Sequence, residues 1–343
     1  AFRQTAFRDI SMESTLNSNR KVSHYIWVAG TALLMLLSQA AVAQQARRPY
    51  RIGVLNEAPA VNHPTVEGLG SGLRELGFES GRDVTFDIRF TQGKPGALPV
   101  AAAALVKANV DLIFTIGEAS THAAKIATQR IPILFTEVGD PVVMGIVAKL
   151  AQPGGNLTGI SNLALELVPK RLEALKMLVP ALRRVWVIYD LNDETSIVAF
   201  VRAQQAAPRL KLELMPRAVV SSQQLRQTLH ELRPGDGLLA PDIDTLEIPA
   251  GILEASLASR IPAVFPADLW VGQGGLLSYG PDYHAQGIQA ARLAARILLG
   301  ARPQDLPVEG ADKIDLAVNI KTAKRLGLTI PRKILIRADK LIP

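Results

Sequence analysis

Short apolar runs alternate with amphipathic stretches along this chain, and the alternation occurs twice. In the first series "RIGVL" (51–55), "VTFDIRF" (84–90), "DLIFTI" (111–116) and "IPILF" (131–135) are rich in β-branched residues and bounded by Gly, Pro or Asp, which predicts strands. Between them, 64–77, 97–109 and 119–129 carry Ala, Leu and Val at helical spacing. Pro64 suits a first helical turn and Gly77 a helix exit. The second series has strands at "RRVWVIYD" (183–190), "KLELMP" (211–216), "DGLLAP" (236–241) and "IPAVF" (261–265), with helices near 193–207, 222–232 and 244–260. Such alternation requires parallel sheets covered by helices on both faces. "LAQPGGNLTGISN" (150–162), rich in Pro, Gly and Asn, separates the series and has linker chemistry. "GGLLSYGPD" (274–282) reads as a strand and turn leading into a helix over 283–300. The expected fold class is α/β with two lobes. Lobe 1 takes 50–160 with 283–310, lobe 2 takes 161–282, and 311–343 goes to lobe 2 or the hinge.

The N-terminal segment does not fit this pattern. Arg20-Lys21 precede the apolar run "YIWVAGTALLMLL" (25–37), and Ala41-Val42-Ala43 gives a small-x-small cleavage pattern. An apolar run of about 13 residues is short for a membrane span. Residues 1–43 therefore read as a signal peptide with an upstream segment, Met12 as the translation start, and Gln44 as the first mature residue. The sequence has no cysteine, hence neither a disulfide framework nor a lipid-attachment site. The expected location is the periplasm, as an untethered protein. Residues 44–343 carry 34 Lys+Arg against 29 Asp+Glu, spread along helix faces with no basic run, so a nucleic-acid partner is not expected.

Catalytic and cofactor motifs fail on inspection. "GLGSGLRELG" (68–77) has Leu73 where a dinucleotide fingerprint needs glycine, and it lies inside a predicted helix. The five histidines are dispersed, and neither a Walker loop, an H-E-x-x-H pattern nor a G-x-S-x-G elbow occurs. Catalytic residues, metal and cofactor are all expected to be none. The informative polar residues sit at strand C-termini, where parallel sheets open onto ligand crevices. These tips include "LNEAP" (55–59), "GEAST" (117–121) and "VGDP" (138–141), then "YDLNDETS" (189–196), "APDIDT" (240–245) and "FPADLW" (265–270). Ser120 and Thr121 stand at a helix N-terminus, which favours an anion. Asp190, Asp242 and Asp244 favour a cationic group, so a small zwitterion held between the lobes would satisfy both. Each of these residues also suits an ordinary helix cap. In "LFTEVGDPVVMG" (134–145), Asp140 is expected to cap a helix begun by Pro141 while offering its second oxygen to the crevice.

Four segments carry a family likeness: "IPILFTEVGDPVVMGIVAKLAQPGGNLTGIS" (131–161), "KRLEALKMLVPALRRVWVIYD" (170–190), "GGLLSYGPD" (274–282) and the region from "ILLGARPQDLPVE" (297–309) to "AVNIKTAKRLGLTIP" (317–331). Over about 50–343 the chain resembles the ABC transporter substrate-binding proteins related to tryptophan/tyrosine-binding proteins. The resemblance implies a periplasmic-binding-protein-like type I fold, two lobes joined by a hinge, without catalysis. It implies a monomer that captures a small molecule, such as an amino acid or related compound, and delivers it to an ABC permease and its ATPase. It also implies a ligand site drawn from the strand tips: Asn56, Glu118, Ser120, Thr121, Asp140 and Ser161 on the first lobe and hinge, Asp190, Asp242 and Phe265 on the second, and Tyr279 at a crossover. The chain departs from its relatives at Gly117-Glu118-Ala119, where they carry a small hydroxyl residue and then proline. Glu118 either points to solvent or signals a less anionic cargo. The alternatives are a ligand sensor of the same fold that signals to a membrane receptor, and an exported enzyme.

Overall fold

A computed structural model describes residues 48–57, 63–92, 94–241 and 249–343. The expectations for residues 1–43, Asp242 and Asp244 lie outside these residues. Residues 49–343 form one compact unit.

The first sheet contains β1 (Tyr50–Asn56), β2 (Val84–Phe90), β3 (Leu112–Ile116), β4 (Ile133–Val138), β5 (Leu157–Ser161) and β11 (Glu309–Gly310). Their spatial order is β11-β5-β4-β3-β1-β2, with every pairing parallel. β3 lies between two neighbours and is buried along its whole length, which is why it reads as a continuous apolar run without alternation. α1 (Pro64–Glu75), α2 (Leu98–Lys107), α3 (Glu118–Ala127) and α9 (Tyr283–Leu298) cover this sheet.

The second sheet contains β6 (Arg184–Asp190), β7 (Glu213–Val219), β8 (Gly237–Leu239), β9 (Ala263–Phe265), β10 (Leu277–Pro281), β12 (Ile314–Asn319) and β13 (Lys340–Ile342), in the order β13-β12-β10-β9-β8-β6-β7. β12 runs antiparallel to β10 and parallel to β13. The helices α4 (Ala164–Leu178), α5 (Glu194–Ala206), α6 (Ser222–Leu229), α7 (Pro249–Ala258), α8 (Asp268–Gly272), α10 (Ile320–Arg325) and α11 (Arg332–Arg337) belong with it. The chain passes between the sheets three times, from β5 to α4, from β10 to α9, and from β11 to β12.

Several boundaries differ from the sequence reading, each for a local reason. The expected linker 150–162 contains β5, whose five residues are all buried; Gly154, Gly155 and Asn156 belong to the preceding turn, while Gly159 lies in the strand itself. The segment after Pro141 is a run of turns rather than an α-helix. β7 begins two residues later than expected because Lys211, at φ +55°, closes a 3-10 turn. The segment 311–343, which the sequence left open between lobe 2 and the hinge, adds β12 and β13 to the second sheet, and Leu316, Val318, Ala323 and Ile334 enter its core.

The glycine run that resembles a nucleotide fingerprint has a packing role. A Cβ on Gly68 would lie 2.0 Å from the His284 carbonyl oxygen, and one on Gly287 would lie 2.1 Å from the Thr65 carbonyl oxygen. α1 and α9 therefore meet backbone to backbone, which only glycine permits.

Candidate ligand-binding site

The C-terminal ends of the parallel strands of both sheets form two polar rims. On the first, β3 runs into Gly117, which occupies the α3 N-cap at φ +83° and supplies no side-chain acceptor. Ser120, in the first turn, is fully buried, and its Oγ has no hydrogen-bond partner among the described residues. An orphaned hydroxyl at a helix N-terminus suits an incoming anion, because the first-turn N–H groups and the helix dipole favour negative charge there. Thr121 is committed elsewhere: its hydroxyl donates to the Gly117 carbonyl at 2.7 Å and lies 2.9 Å from the Thr115 hydroxyl. These contacts tie the start of α3 to β3. Glu118 is half-buried beside it.

Asp140 caps as expected, although it caps a turn: Oδ1 accepts the N–H groups of Val142 at 2.9 Å and Val143 at 3.0 Å. Ser161 donates to the Gly139 carbonyl and accepts from the Leu163 N–H, both at 3.1 Å, so its hydroxyl fixes the crossover into α4. Asn56 is buried at the end of β1, where its carbonyl accepts the Thr91 N–H.

On the second rim Asp190 is buried. Its Oδ1 accepts the Asn192 N–H at 2.8 Å, and its own N–H donates to Ser196 Oγ at 3.0 Å. Phe265 is 2% exposed and packs among the core residues around β8 and β9, with Trp270 stacked 6.5 Å away. Tyr279 is half-buried against the core on the other face of the sheet, and its carbonyl accepts Arg171 Nε at 3.0 Å. The two rims touch where the Thr195 hydroxyl donates to the Met144 sulfur. A Cβ on Gly139 would lie 3.3 Å from both Ala164 and Thr195.

Several rim residues escaped the sequence reading. Tyr189 and Phe200 stack with centroids 4.4 Å apart and ring planes 1° from parallel. They border a cavity of about 30 Å³ that Arg171, Thr195 and Pro241 also line. That is the scale of a water molecule. On the first rim, Glu137 at φ +58° turns its carboxylate onto the Thr65 hydroxyl, with His63 Nδ1 3.5 Å away. Burial lowers the His63 pKa to about 4. Nδ1 accepts the Thr65 N–H, which requires the neutral imidazole despite the nearby carboxylate.

At the crossovers, Gln286 Nε2 donates to Asn162 Oδ1 at 2.9 Å. Lys340 Nζ holds Asp268 at 2.7 Å, Asp315 at 2.9 Å and Asp282 at 3.1 Å. Burial alone would raise the Asp282 carboxyl. Hydrogen bonds from Lys313, the Ala285 N–H and Lys340 outweigh it and hold the group well below the usual carboxylate range. Among the described residues no cluster of three or more His, Cys, Asp or Glu side chains could hold a metal ion.

A family profile described as "ABC transporter substrate binding protein" matches residues 52–342. The chain belongs to that family. Members are solute-binding proteins and not enzymes. The "Tyrosine-binding protein" of Clostridioides difficile (strain R20291) is 28% identical over 274 residues, covering 78% of this chain and 79% of the relative. The crystal structure of the ABC domain in complex with L-Trp from Streptococcus pneumonia matches with a TM-score of 0.75 at 26% identity, covering 86% of this chain and 100% of the other. The ligand-free, open structure of a substrate-binding protein with adhesive properties from Clostridium difficile matches with a TM-score of 0.67 at 27% identity, covering 85% and 99%. The substrate-binding protein described here thus has the type I periplasmic-binding-protein fold, with two largely parallel sheets flanked by helices. Among the described residues no helix is long and apolar enough to cross a membrane.

Proposed function

We propose that this substrate-binding protein captures an aromatic amino acid between the two rims and delivers it to an ABC permease and its ATPase, after export to the periplasm. The single observation behind the choice of ligand class is Ser120, a buried unpartnered hydroxyl at the α3 N-terminus suited to a carboxylate. The ammonium group then faces Asp190 and the Asp140 oxygen outside the cap. The stacked Tyr189 and Phe200 rings offer an aromatic wall nearby. Relatives that bind tyrosine and tryptophan support this reading.

The two sheets act as lobes, with the three crossovers as the hinge. Closure contributes to affinity because the second rim meets the ligand only in the closed state. Calorimetric titration with L-tyrosine and L-tryptophan tests the proposal. Ser120→Ala is expected to weaken either amino acid about tenfold, the scale of one hydrogen bond to a charged group. Tyramine, which lacks the carboxylate, should bind both proteins equally weakly. An unchanged amino-acid affinity in the variant would remove the α3 N-terminus from the site.

A further inference from the structure

Residues 316–338 contain no acidic side chain, yet they hold Lys321, Lys324, Arg325, Arg332, Lys333 and Arg337. Residues 44–343 carry 34 basic and 29 acidic side chains, so these six account for the entire positive excess: the remaining 28 basic residues face 29 acids. In sequence the charges look dispersed; the fold gathers them. α10 buries Thr322 and Ala323, while Lys321, Lys324 and Arg325 are exposed. α11 docks through Ile334 alone and exposes the rest of its six residues. Both helices rest on the same core. Among the described residues none of the six pairs with a carboxylate; Arg337 instead touches the Met177 sulfur at 3.9 Å. Between these cations stand Leu335 and Ile336, 41% and 73% exposed.

We infer that this face adsorbs to an anionic phospholipid bilayer. Unpaired cations beside protruding aliphatic side chains match the chemistry of that surface, with phosphate headgroups outside and acyl chains just beneath. A nucleic acid would use the charges but offers nothing to Leu335 and Ile336. The placement is also compatible with ligand capture. The Asn319 N–H that precedes α10 bonds to the Leu276 carbonyl at the start of β10, the end of the sheet opposite the rim. The start of α10 therefore lies at the end of the second sheet away from its rim.

The compact unit 49–343 contains both sheets and every core cluster, so it serves as the test protein. It is floated with phosphatidylcholine vesicles containing about one-third phosphatidylglycerol, and with phosphatidylcholine alone. Binding is expected to the anionic vesicles only and to weaken as salt rises. Each cation near the surface contributes about fivefold to partitioning, so if only half of the six reach the headgroups, neutralising all six to Gln should still lower it about a hundredfold. Leu335→Ser with Ile336→Ser should also weaken vesicle binding while leaving retention on a sulfonate cation-exchange resin unchanged. All eight side chains are exposed, and unchanged thermal melting confirms that the variants fold. No flotation of the wild type, or undiminished flotation of the six-Gln variant, overturns the inference. So does binding to duplex DNA as tight as to vesicles and indifferent to Leu335 and Ile336, which would assign the face to nucleic acid.

Discussion

Asp140 and His63 show how much a single rim side chain can carry. Asp140 uses one oxygen to close a turn, and a carboxamide oxygen can do the same. Asp140→Asn should therefore melt within a few degrees of the wild type while binding an amino acid about tenfold more weakly, as expected for loss of one charged partner. Equal affinity by calorimetry would confine Asp140 to its cap. His63 makes a separate prediction about pH. Its native pKa of about 4 lies below the unfolded value of 6.5, so the unfolded chain binds the proton first as pH falls. Stability should decline from about pH 6.5 to about pH 4, by up to ~1.4 kcal/mol per pH unit, and level off below. Urea melts across that window should show a shallower slope for His63→Gln. The sequence displayed both residues, but only Asp140 announced its role, through the adjacent proline. The Glu137 that approaches His63 is 74 positions away, and no local pattern encodes that contact.

At the scale of elements, the α1–α9 contact is the least tolerant feature. Gly68→Ala places a methyl group against a backbone oxygen that cannot rotate away, so a loss toward the upper end of about 1–3 kcal/mol is expected in denaturant melts. Gly70→Ala, with nothing within 4 Å, serves as the matched control and should be neutral or stabilising. Most strands were legible because buried parallel strands are unbroken β-branched runs ended by Gly, Pro or Asp. Their facing was not. "IPAVF" has no alternation, so nothing local indicates that Phe265 points into the core. Asp140-Pro141 fits a turn as well as a helix start, and the helix reading failed there. Thr121 suited the rim by position, but its hydroxyl is engaged by the Gly117 carbonyl and the Thr115 hydroxyl, contacts that only the folded loop reveals. Arg171 and Phe200 read as ordinary helix residues, and Tyr189 only as one position of the strand tip 189–196, until α4, β6 and α5 pack together.

For the molecule as a whole, the two series of alternating elements become two sheets, and the chain crosses between them three times. Polar contacts gather at the crossovers, from Asn162 and Gln286 to the Lys340 cluster. Capture of an amino acid between the rims can be followed in one titration. The protein lacks cysteine, so Ile126→Cys on α3 and Val201→Cys on α5 can carry a unique pair of spin labels, one per sheet, at exposed sites. L-tyrosine or L-tryptophan is added while the inter-label distance is measured, and the amino acid is then recovered. Saturable binding of one ligand per chain is expected, with a distance distribution that narrows to the closed state and complete return of the amino acid unchanged. A distribution indifferent to both amino acids, or any conversion of them, would rule out reversible capture between the rims.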